Sequence, residues 1–155
     1  MPIVEFKLPP PTVLLLVQFA ATAMMTGIIW FVQVVHYPLF GKIPQEGFVA
    51  YELAHTVRTG FVVGPLMLVE LITAVTLIVM TDPVAGDRLY LAAFGCLLLI
   101  WASTFLLQVP LHAILEHRHD QGAITRLVST NWIRTILWTV RLALLSTVVL
   151  RRVFS

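Results

Sequence analysis

Two sets of residues in this chain have the types needed for proton transfer and anion binding. His36, His55, Arg58 and Thr59 form one set; His112, Asn131, Arg134 and Thr135 stand 76 positions further on. Imidazoles titrate near neutrality and act as bases, while guanidinium and amide groups offer fixed donors to an oxyanion. A site that takes a proton from an acidic carbon and holds the resulting enolate uses these groups. His55 or His112 would be the base, with Arg58, Arg134 and Asn131 stabilising the anion.

The same residues admit other chemistry. His36, His55 and His112 could hold copper or zinc, although Arg58 and Arg134 would oppose a cation so close. His36 and His112 could ligate one haem axially, with the arginines on its propionates, although both lie near helix ends. The run from His112 through Glu116 and His117 to Asp120 lacks the His-Glu-x-x-His zinc spacing. His117, His119 and Asp120 read as a solvated loop. A non-catalytic membrane subunit or lipid-binding protein also fits, with His and Arg at headgroups and Trp132, Tyr37 and Tyr51 as interfacial anchors. The cofactor-free site is the preferred expectation.

These residues must be positioned by helices in a bilayer. Of 155 residues, 59% are hydrophobic and 12% charged, and the mean hydropathy is +0.92. A soluble domain carries about 25% charge. Four apolar segments are long enough to cross: about Val13 to Leu39, Gly60 to Met80, Leu89 to Leu111, and Ile133 to Leu150. Lipid excludes open sheets, so an all-α, four-helix transmembrane bundle forming one membrane domain over 1–155 is expected. Gln45 to Thr59 and Gln121 to Trp132 read as amphipathic helical extensions of spans two and four at one interface.

The 76-residue shift also superimposes span one on three and span two on four, which points to duplicated hairpins over about 13–80 and 89–155. His36, Arg58, His112 and Arg134 then share one membrane face. Helical spacing aligns Thr26, Trp30, Gln33 and His36 on span one, and Trp101, Thr104, Gln108 and His112 on span three. Span four aligns Asn131, Arg134, Thr135, Trp138 and Arg141. Polar stripes face the bundle interior, so one polar pocket is expected. His36, Gln33, Gln108, Trp30, Trp101 and Trp138 would bind a flat hydrophobic molecule there. Deeper in, Glu70 and Arg141 read as a structural ion pair; the alternative makes Glu70 a proton acceptor.

Net charge is +2 and the basic residues are scattered, which argues against nucleic acid. The expected partners are the bilayer and a hydrophobic small molecule, and a homo-oligomer is compatible with the sequence. Cys96 reads as a small buried hydrophobe. Met1 to Pro11 lacks the signal-peptide pattern. Lys7, Arg88, Arg151 and Arg152 fall on one side, with Lys42, Arg118 and Arg126 on the other. The positive-inside rule then puts both termini in the cytoplasm, in a bacterial inner membrane or its equivalent.

With Asn131-Trp132-x-Arg134-Thr135 opening the last span, the chain resembles the anthrone-oxygenase-like family of small four-helix membrane proteins. His36-Tyr37-Pro38, His55-x-x-Arg58 and the order and length of the spans extend the likeness over nearly the whole chain. The resemblance implies an all-helical membrane bundle that oxygenates an anthrone-type aromatic to a quinone without a bound cofactor. Asn131 and Arg134 would be polar residues of that site.

Overall fold

The structure is a computed structural model that describes residues 9–80 and 82–154, with side chains to residue 152. Lys7 and Thr81 lie outside the described residues. Four long helices make up the fold: α1 (Pro11–Phe40), α2 (Phe48–Val79) and α3 (Arg88–Leu115), then α4 (Gln121–Phe154). All four are long and apolar enough to cross a membrane. Large apolar side chains such as Phe61, Leu106 and Val79 face outward, 78%, 73% and 74% exposed. An apolar exterior of that kind belongs in lipid rather than water, and the chain is a multi-pass membrane protein.

Local sequence explains the helix boundaries. Pro11 occupies the first helical position of α1, where its missing N–H costs nothing. Gly47 adopts φ 84° just before α2, a left-handed turn that a Cβ would strain. Asp82 and Asp87 accept from the backbone N–H groups of Val84 and Leu89 in the α2–α3 link. Arg152 reaches back to Asp82 at 3.2 Å and ties the end of α4 to that link.

Two helices share a special feature. α1 widens to a π-helical stretch at Val32–His36 just before Tyr37-Pro38, and α3 does so at Thr104–Gln108 before Val109-Pro110. Proline lacks an N–H and its ring collides with the carbonyl four residues back. Widening the preceding turn relieves that collision and keeps the helix continuous. It also redirects Tyr37 and His112, which come after the two π-helical stretches, towards the bundle interior.

The helices pack in the order α2–α1–α4–α3. Each adjacent pair packs along much of its length, whereas α2 and α3 barely touch, leaving a seam. At the link end that seam is pinned by the Tyr90 hydroxyl donating to the Ala74 carbonyl at 3.3 Å. Of the expected extensions, 48–59 and 121–132 are helical and run on without a break into α2 and α4. Phe48, Ala123, Ile124 and Leu127 pack in the core with Phe40 and Leu115, because their apolar face meets the end of α1.

Asp120 caps α4, its carboxylate accepting the Ala123 N–H at 2.9 Å. That bond and the adjacent Arg118 hold its carboxyl below the usual carboxylate range. A depressed folded-state pKa gives a contribution that is complete above the ordinary value and lost as pH falls through the lowered one. Asp120→Ala should therefore speed amide exchange at Ala123 and Ile124 at neutral pH. Wild type should approach the variant only in strong acid.

Candidate functional site

A cavity of about 310 Å³ opens at the α2–α3 seam, near the end of the bundle away from the link. Met25, Ile29, Val63 and Met67 form its apolar part, and Trp138 closes the floor. Its polar end is built by Tyr37 from α1, His55 from α2, Gln108 and His112 from α3, and Arg134 from α4.

These polar groups form one directed chain. Arg134 donates through Nε and a terminal nitrogen to Asn131 Oδ1, at 2.9 and 2.5 Å. Another contact from that terminal nitrogen reaches the Tyr37 hydroxyl at 3.4 Å. Tyr37 lies 3.0 Å from His112 Nε2, and His112 Nδ1 bonds to Glu52. A carboxylate only accepts, so His112 carries its proton on Nδ1 and Nε2 accepts from Tyr37. The sequence of donors thus runs from Arg134 through Tyr37 and His112 to Glu52. Asn131 is anchored in turn, its amide donating to Gln33 at 2.8 Å while Gln33 donates to the Val128 carbonyl at 3.1 Å.

Glu52 is fully buried and its second oxygen has no hydrogen-bond partner among the described residues. His112 is therefore its chief compensation, since a buried, unpaired carboxylate is costly. This is the geometry in which a carboxylate fixes the tautomer of a histidine base.

His55 packs against His112, ring centroids 5.5 Å apart, and bonds to His36 at 2.8 Å. Thr59 lies 3.1 Å from the same His55 nitrogen. Arg58 is exposed and lines an adjoining surface cleft with His36 and Tyr51, which meets the cavity at His55 and Thr59. Asn131 lies behind Arg134 and holds it. Gln33 lies behind Asn131, while Gln108 lines the cavity and bonds to Ser103 and Thr130. Trp30 sits at the outer surface, donating to Thr139 and meeting Trp132 edge-on. Trp101 meets Phe105 at a tilt, ring centroids 5.4 Å apart, outside the cavity.

The polar stripes thus do not all meet in one pocket. A second buried cluster surrounds Glu70, whose carboxylate accepts from Thr22 at 2.5 Å, Trp138 at 3.1 Å and Arg141 at 3.1 Å. Arg141 also donates to the Ala93 carbonyl at 2.5 Å. These bonds knit α1, α2, α3 and α4 together across the interior, which is the structural ion-pair arrangement.

Sequence reasoning missed Glu52 and the site role of Tyr37. The signal for Glu52 was present, since Glu52, His55 and Arg58 recur every three residues. Tyr37 read as an interfacial anchor because the π turn that rotates it inward has no sequence periodicity of its own. Among the described residues, no three His, Cys, Asp or Glu side chains are arranged to hold a metal ion. Comparison with protein-family models, curated proteins and solved structures yields no match for this chain.

Proposed function

We propose that the chain is a membrane-embedded, oxygenase-like enzyme acting on a hydrophobic aromatic or quinone-type molecule, of the anthrone kind that the family resemblance implies. The observation that carries this reading is the Glu52–His112–Tyr37–Arg134 chain at one end of an otherwise apolar cavity. No metal or haem is required for the steps proposed. His112, oriented by Glu52, is the base. Tyr37 passes its proton to His112 and receives one from the substrate's acidic carbon. Arg134 and the Tyr37 hydroxyl then stabilise the enolate oxygen, and Asn131 holds Arg134 in place.

Dioxygen is the oxidant. A ring methylene becomes a carbonyl, one oxygen atom entering the product and the other leaving as water, so the two carbon-bound hydrogens are accounted for. Arg88, Arg151 and Arg152 at the link end favour both termini in the cytoplasm, with the cavity towards the opposite face.

Arg134→Ala should lower anthrone-dependent oxygen uptake by about 10²–10³-fold while the helical circular dichroism is retained. Arg134→Lys keeps the charge but loses the bidentate hold on Asn131, and should recover only part of the rate. Unchanged uptake in Arg134→Ala sinks the assignment. Tyr37→Phe should cost about 10²-fold in turnover, with a smaller effect on substrate binding, measured as a kcat and KM split.

A further inference from the structure

We infer that the ligand enters sideways from the bilayer through a window between α2 and α3, and that it enters as a neutral weak acid of the phenol class rather than as an anion. The inference rests on the reading of this cavity as a substrate site and specifies its route and its ligand.

The window follows from packing. α2 and α3 barely touch along the cavity, while every other adjacent pair of helices is closed. Thr56 and Gly60 on α2 form one rim, and Val109, Ala113 and Glu116 on α3 form the other. Gly60 and Ala113 are both exposed. A Cβ built on Gly60 would have no heavy atom within 4 Å, so a larger side chain there projects into open space. The helix surfaces flanking the window are apolar, with Phe61 and Leu106 outward. A molecule dissolved in the acyl region meets the opening directly.

The ligand's charge follows from the cavity's own balance. Glu52 and Arg134 are the buried ions at the polar end, and they cancel when the histidines are neutral. Glu116 at the rim adds negative charge at the entrance. A fatty acid carboxylate would have to pass Glu116 and leave the site with surplus negative charge in a low-dielectric interior. A neutral phenol brings no net charge. On giving its proton to the Tyr37–His112 pair, it leaves imidazolium against Glu52 and phenolate against Arg134, two matched pairs. Arg58, a nearby exposed cation, lines the adjoining cleft and is not part of the cavity lining.

The test uses the full chain in phosphatidylcholine nanodiscs, with 2-naphthol as probe and energy transfer from tryptophan as readout. Association with wild type should be slowed about tenfold or more by Gly60→Phe, and likewise by Ala113→Phe on the opposite rim should the first variant fail to fold. Glu116→Gln should admit myristate better than wild type does, and 2-methoxynaphthalene, which has no acidic proton, should bind about tenfold more weakly than 2-naphthol. Equal association rates for wild type and both rim variants would overturn the window. Myristate binding to wild type as tightly as 2-naphthol would overturn the ligand class. If the rim variants slow naphthol while anthrone causes no oxygen uptake in wild type, the enzymatic reading fails and the entry route survives. Oxygen uptake that rim substitutions leave untouched gives the reverse outcome.

Discussion

Glu52→Gln should reduce turnover by about 10³–10⁴-fold, close to the effect of removing the carboxylate behind a catalytic histidine in other enzymes. Glu52 is buried and bonded to His112 Nδ1, and it never reaches the cavity. Its effect must therefore pass through the imidazole. A glutamine can present its amide N–H to Nδ1, which moves the histidine proton to Nε2. Nε2 would then face the Tyr37 hydroxyl as a donor and could no longer take its proton. The substitution is nearly isosteric, so the fold should survive. The check is kcat at saturating substrate beside equilibrium binding. Turnover within a few-fold of wild type would remove Glu52 and His112 from the mechanism.

Arg141→Ala should have the largest effect on stability, about 3–5 kcal/mol, because it leaves Glu70 charged and unpaired in the interior. Glu70 would keep Thr22 and Trp138 as donors but lose its counter-ion. The double variant Glu70→Leu/Arg141→Met should recover most of that loss, since apolar replacements remove both charges at once. Unfolding in mixed detergent–SDS micelles measures both. A double variant no more stable than Arg141→Ala would show that Glu70 matters beyond the pair, and would revive its reading as a proton acceptor.

The spans were legible in the sequence because lipid imposes a simple demand of length and apolarity. Pro11, Gly47 and the aspartates at 82, 87 and 120 mark where helices start or link, each through a local backbone requirement. The Glu70–Arg141 pair was also readable, since two charges deep in apolar runs are tolerable only together. The site was legible in part. His55, His112 and Arg134 stand at its polar end, but Arg58 and Trp30 face outward despite sitting on aligned stripes.

The reason lies in the helix period. A stripe at three- and four-residue spacing fixes a face of a straight α-helix, and α1 and α3 are not straight α-helices throughout. Their π turns shift every following side chain around the axis, which brings Tyr37 inward. The two π turns are 72 positions apart, whereas His36 and His112 are 76 apart. The helices of a proposed duplicated pair thus carry their special turn about one helical turn out of step with the matched histidines. Glu52 was legible only in its spacing from His55 and Arg58. Its partner comes from α3, and a three-residue spacing on α2 does not reveal which neighbour it will meet.

The central claim is that this chain's own residues remove the proton and hold the anion. The most direct measurement is oxygen uptake by the purified, reconstituted protein supplied with anthrone, with elemental analysis and an absorption spectrum of the same sample. The expected result is one dioxygen consumed per quinone formed, in protein with no Soret band and no stoichiometric copper, zinc or iron, and loss of that uptake in Arg134→Ala. Uptake that scales with bound metal or haem, or none at all in wild type, would contradict it.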